Sequence, residues 1–137
     1  MYQLILVPFL ALVIAQLIKV IIDSFRGKFS WRNLNAYGGM PSSHSALVAA
    51  LATEIGLYSG FTSPEFAIAA AIGFLFLRDA VGFRAKLGQH GKILNQLIVD
   101  LPDFKESKYP HLEERLGHTY LQATVGMLLG ILIALIF

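Results

Sequence analysis

Two histidines stand at the mouths of apolar, glycine-containing stretches: His44 in GGMPSSHSA, residues 38–46, and His118 in GHTYLQATVGMLLG, residues 117–130. A neutral imidazole beside a bound phosphate can attack phosphorus to give a phospho-histidine, and a second imidazole can protonate the departing alcohol. The residues before His44 suit an anion. Gly38 and Gly39 let the backbone turn sharply, Pro41 fits a first helical turn, and Ser42 or Ser43 can cap the helix. The unpaired N–H groups and partial positive charge of that helix N-terminus make an anion site. Composition alone leaves a plainer reading open: a helix cap with an interfacial histidine, and Gly126 and Gly130 as a small-residue packing face.

The elements that must position these residues are membrane helices. Of 137 residues, 55% are hydrophobic and 15% charged, against roughly a quarter charged in an ordinary soluble domain. Residues 1–22, MYQLILVPFLALVIAQLIKVII, carry no charge before Lys19, enough to cross a hydrocarbon core of about 30 Å at ~1.5 Å per residue. The segment lacks the basic start and small-residue cleavage site of a secretory signal, so it is read as a permanent span. Further apolar stretches predict an all-α, polytopic membrane helix bundle forming a single domain over 1–137. Its four transmembrane helices cover approximately 2–22, 44–61, 65–83 and 118–137.

Residues 84–117 are the sizeable polar segment. Within it Ile93, Leu94, Leu97, Ile98 and Leu101 recur at helical spacing, which predicts an amphipathic helix over Lys86 to Asp100 lying along the cytoplasmic interface, then a loop over 100–110. All eleven Lys and Arg fall between Lys19 and Arg32 or between Arg78 and Arg115, and the turn 58–64 has none. The positive-inside rule then puts both basic regions in the cytoplasm and both chain ends outside. The absence of cysteine excludes disulfides, thiolate metal ligands and a cysteine nucleophile.

Ionisable groups at membrane helix ends are costly and read as functional by default. Here they gather at one side: Lys19, Asp23, Arg26 and Arg32 after the first span, Ser42, Ser43 and His44 at the second, Arg78, Asp79 and Arg84 at the third, His118 at the fourth. Glu54 lies inside the second span with no nameable partner. Trp31 and Tyr37 read as interfacial anchors, Lys86, Lys92, Lys105 and Lys108 as headgroup contacts, and Glu113 and Glu114 as a solvated turn.

At these residues the chain resembles the type-two phosphatidic acid phosphatase superfamily, related to vanadium haloperoxidases, and within it the divergent small bacterial and plastid branch. QLIK, GGMPSSHSA, DAVGFR, the Gly88-to-Asn95 segment and LGHT occur in order over nearly the full length. The superfamily's first motif has the Lys19-to-Arg26 spacing, with Gly27 here in place of its proline and Arg32 as a rival to Arg26. Its second, Pro-Ser-Gly-His, matches Pro41-Ser42-Ser43-His44 apart from Ser43. Its third fits His118 followed by Gly126 and Gly130, but Gln122 replaces the aspartate and Leu112 the arginine. Arg84 with His90 is the alternative third motif.

The resemblance implies His118 as nucleophile and His44 as general acid. Lys19, Arg26, Ser42, Ser43 and Arg84 would then bind phosphate, with Asp79 and Gln122 supporting. An amide orients an imidazole but supplies no negative charge; Asp79, Glu113 or Glu114 are candidate replacements for the missing carboxylate. The implied protein is an integral membrane phosphatase, metal-independent and without a cofactor. It would act on a phosphorylated lipid at the cytoplasmic leaflet, in a bacterial cytoplasmic membrane, with membrane lipids and no nucleic acid as partners. A homodimer is expected as one way to complete the pocket, since the superfamily core has more spans. Two other classes stand beside it: a non-catalytic membrane module for anion or lipid-phosphate binding or transport, and a structural membrane subunit.

Overall fold

The computed structural model describes residues 2–27, 39–100, 110–114 and 116–137. Gly38, Trp31, Arg32, Tyr37, Lys105, Lys108 and the loop expected over 100–110 lie wholly or almost wholly outside them. Among the described residues every regular element is helical: α1 Gln3–Phe25, α2 Ser43–Ser59, α3 Pro64–Val81, α4 Phe83–Val99 and α5 Tyr120–Ile136.

Small residues on three helices make the core. On α1 the buried positions Val7, Ala11, Ala15 and Lys19 recur every fourth residue, one stripe of a helix. On α2 the stripe is Ser42, Ala46, Ala50 and Glu54, and on α5 it is Gly126, Gly130 and Ala134. α2 lies in the middle, against α1, α3 and α5. A β-carbon built at Gly126 would strike the Ser42 carbonyl oxygen, and one at Gly130 the Ala46 carbonyl oxygen. The two glycines therefore let α5 approach α2 backbone to backbone within one chain.

Large apolar side chains face outward instead. Phe9, Leu17 and Ile21 on α1, Ile68, Phe74 and Leu75 on α3, and Leu128, Leu132 and Leu135 on α5 are all exposed. A small-residue core under a Phe, Leu and Ile exterior reverses the soluble pattern and suits a lipid solvent. Gln3–Phe25 and the run Pro64–Val99 are long and apolar enough to cross a membrane, and Tyr120–Ile136 is a shorter apolar helix.

Four contacts fix the helix ends. Gln3 Nε2 donates to the Phe137 carbonyl (2.8 Å), joining the start of α1 to the end of α5. At the other end Ser43 Oγ donates to Gln16 Oε1 (3.2 Å), Ser42 N to the Gln122 carbonyl (3.2 Å), and His118 N to the Ala80 carbonyl (3.0 Å). The C-terminal parts of α1 and α3 thus meet the starts of α2 and α5.

The amphipathic helix expected over Lys86 to Asp100 differs from the sequence expectation in extent. α4 starts at Phe83, with Gly82 the one residue separating it from α3. Its apolar residues Ile93, Leu94 and Leu97 are exposed, while Gly88, Gly91 and Asn95 are buried. Periodicity located an apolar stripe correctly, but the packing face is the side where a backbone can lie close.

Candidate functional site

Local sequence explains how each mouth is built. The chain enters α2 through Gly39, whose φ of 117° lies in the left-handed region open to glycine. Ser42 caps the helix: its Oγ accepts from Ser45 N (3.3 Å) and from Ser45 Oγ (2.9 Å). His44 follows as the second residue of α2 and is exposed. At the other mouth Gly117 has φ 82°, and a β-carbon there would strike the Ala85 amide nitrogen. That glycine brings His118 against the α3–α4 junction. Thr119 then caps α5 in a reciprocal box, its Oγ1 accepting from Gln122 N while Thr119 N donates to Gln122 Oε1 (3.0 Å).

His44, Arg84 and His118 line one cavity together with Phe76, Ala80 and Gly117. Its volume is about 20 Å³, on a measure by which one water needs roughly 10–15 Å³. The closed site therefore admits water or the oxygens of one small group. The break at Gly82 turns α4 so that Arg84 reaches back five residues to Asp79, Nε to Oδ2 at 2.6 Å. Both side chains of that pair are more than a third exposed (39% and 38%). Such a pair contributes about 0.2–1 kcal/mol, so its consequence is the aim of the guanidinium more than stability.

Lys19 ends the buried α1 stripe at 6% exposure. A β-carbon at Gly39 would fall 2.6 Å from its Cε, so the glycine leaves room for the lysine stem. His118 precedes the first residue of α5, and burial pushes its imidazole below the ordinary histidine value. Gln122 acts in the opposite sense, and the positive groups Lys19, His44 and Arg84 lower the value further. A neutral His118 surrounded by cationic groups is the form a nucleophile requires.

Not every residue expected at the site lies at the cavity. Ser42 is fully buried and committed to its cap, and Ser43 is committed to Gln16. Both fasten the mouth of α2, and neither lines the cavity. Arg26 is the exposed C-cap of α1. Asp79 serves Arg84, and the Gln122 oxygen serves the Thr119 N–H. His118 Nδ1 is buried with no hydrogen-bond partner among the described residues. His90 is exposed on α4 and outside the cavity. Glu54 lies ten residues beyond His44 on α2, about 15 Å along the axis at ~1.5 Å per residue, and so belongs to the other end of the bundle.

Asn95 ends a motif segment of the sequence, yet sequence reasoning gave it no role. Its side chain is buried and holds the segment that leads to His118. An asparagine on the glycine-bearing side of α4 was the available signal.

Comparison with known proteins gives two matches. Residues 2–133 match the family described as "Divergent PAP2 family". The chain is also 36% identical over 138 residues to the "Uncharacterized membrane protein YuiD" of Bacillus subtilis (strain 168), a match covering 92% of this chain and 87% of that protein. No solved structure matches.

Proposed function

The chain belongs to the divergent PAP2 family, and from that premise we propose that it is an integral membrane phosphatase hydrolysing a lipid phosphate ester at the cytoplasmic leaflet. The observation carrying the proposal is the single cavity shared by His44, His118 and Arg84 where four helix ends meet. α1, α2, α3 and α5 are the four spans of this reading, and the basic residues of 19–32 and 78–115 hold the site end in the cytoplasm. A lipid headgroup reaches such a site by diffusing within the leaflet.

In the reaction His118 attacks phosphorus and the ester P–O bond breaks. The departing alkoxide takes a proton from His44. Lys19 and Arg84 neutralise the charge on the equatorial oxygens, Arg26 attracts the headgroup from the rim, and the α2 N-terminus adds its partial positive charge. Water then attacks the phospho-histidine and gives a proton back to His44, releasing inorganic phosphate. This route uses no metal. No carboxylate is assigned behind His118, and loss of such a carboxylate costs up to about 10⁴-fold in rate, so slow turnover is expected.

Phosphate release is measured in detergent over phosphatidic acid, lysophosphatidic acid and polyprenyl mono- and diphosphates. His44→Ala and His118→Ala each abolish release on this account, and full turnover in both variants ends it. The engagement of Gln122 in the helix cap favours one alternative, a module that binds lipid phosphate without chemistry. Saturable binding with no release by the wild type identifies that alternative.

A further inference from the structure

The segment that delivers His118 is held at a distance from it. Asn95 has 9% exposure on α4, and its side chain grips residues 111–114 on both sides of the amide. Nδ2 donates to the Leu112 carbonyl (2.9 Å) and to Glu114 Oε1 (2.9 Å), while Oδ1 accepts from Leu112 N (2.9 Å). The opposite amide orientation would set donor against donor at Leu112 N, so one orientation is fixed. One and two turns earlier on the same face, glycines let the strap's backbone lie against the helix. A β-carbon at Gly91 would fall 2.9 Å from the Glu113 carbonyl oxygen, and one at Gly88 2.7 Å from that of Glu114 and 3.0 Å from that of Leu116. The strap ends at Gly117, and His118 N then bonds the Ala80 carbonyl.

α4 packs chiefly on α3 among the helices, so this face is committed to the strap. The strap in turn sets where His118 enters the cavity. We propose that Asn95 is a positioning residue for His118, acting through the strap of residues 111–114 and 116–117 that Gly88 and Gly91 seat on α4. Asn95 does not line the cavity and touches no reacting atom. Its effect is to hold the imidazole beside Arg84 and His44.

The kinetic consequence rests on the reading of His118 as nucleophile; the structural consequence does not. The full chain in detergent micelles is compared as wild type, Asn95→Leu, Gly91→Ala and the exposed control Gln96→Ala. Asn95→Leu removes the strap's hydrogen bonds without adding charge, and Gly91→Ala pushes on the strap from a different atom. Side-chain ¹⁵N spectra follow each histidine through a pH titration. The expected result is that the His118 titration moves upward, toward that of a solvated histidine, in both strap variants. In the Gln96→Ala control it stays in place.

With turnover present, kcat falls by about 10²-fold, as for a catalytic group misplaced by about 1 Å, and KM changes little. If Asn95→Leu does not fold, Gly91→Ala decides. A folded strap variant with His118 titrating as in the wild type overturns the proposal. A wild type without turnover, combined with a His118 shift in the variants, leaves the positioning role standing and removes the phosphatase reading.

Discussion

Chemistry at the residue scale turns on what surrounds His118. Its imidazole is held below the ordinary histidine value by burial first, then by Lys19, His44 and Arg84. Two pH predictions follow from that direction. The unfolded chain binds this proton near pH 6.5 and the folded chain only at lower pH, so the contribution of His118 to stability is present above 6.5 and declines as pH falls. Thermal melts between pH 8 and 5 should show a loss that His118→Gln reduces. Phosphorylation of the protein needs neutral His118, so its acid limb in rapid-quench assays lies below pH 6.5; a limb above 6.5 would speak against His118 as nucleophile. Gln122→Asp supplies the carboxylate that the family motif has at this position and introduces negative charge in the first turn of α5, where it is favourable. It should raise turnover by between about ten- and 10⁴-fold and move that acid limb upward. Unchanged or reduced turnover in a folded variant would show that the geometry cannot use the carboxylate.

Element by element, legibility followed the physics of each signal. Apolar runs placed α1, α2, α3 and α5 to within a few residues, because a long apolar run is a local signal that does not depend on how the helices pack. The mouth of α2 was also legible, since Ser-rich starts cap helices by local hydrogen bonds and Ser42 does so here, whereas the Thr119 cap of α5 was not read from the sequence. The packing face of α4 was hidden, because Gly88, Gly91 and Asn95 advertise no hydrophobic period. The fate of Ser43 and Gln122 was hidden too. Each has a local partner that competes with substrate or histidine, and that competition is decided in three dimensions. Gly126 and Gly130 read as a packing pair, and their partner is α2 of the same chain. Gly130→Ala drives a methyl group into the Ala46 carbonyl and should destabilise the fold by about 1–3 kcal/mol. Leu128→Ala, on the exposed side of α5, should cost within about 0.5 kcal/mol as a surface change. Denaturant titration of both in mixed micelles checks the contrast, and equal midpoints would contradict intramolecular use of the glycines.

For the molecule as a whole, the chain alternates direction through α1, α2, α3 and α5, so both termini share one end and the four chemically equipped helix mouths share the other. On the proposed reading the basic residues put the latter in the cytoplasm. Because the sequence has no cysteine, single Thr62→Cys and Lys86→Cys variants report sidedness without a background: an impermeant maleimide added to intact cells should label the first alone, and the reverse pattern would invert the topology. The central claim is that His44 and His118 act on one oxyanion, and it is tested most directly by titrating orthovanadate into the full chain while following side-chain ¹⁵N resonances. Of the four histidines in the chain, 44 and 118 should shift together with one midpoint, and 90 and 111 should not move. Resonances of 44 and 118 that stay fixed, or that respond with separate midpoints, would contradict the account.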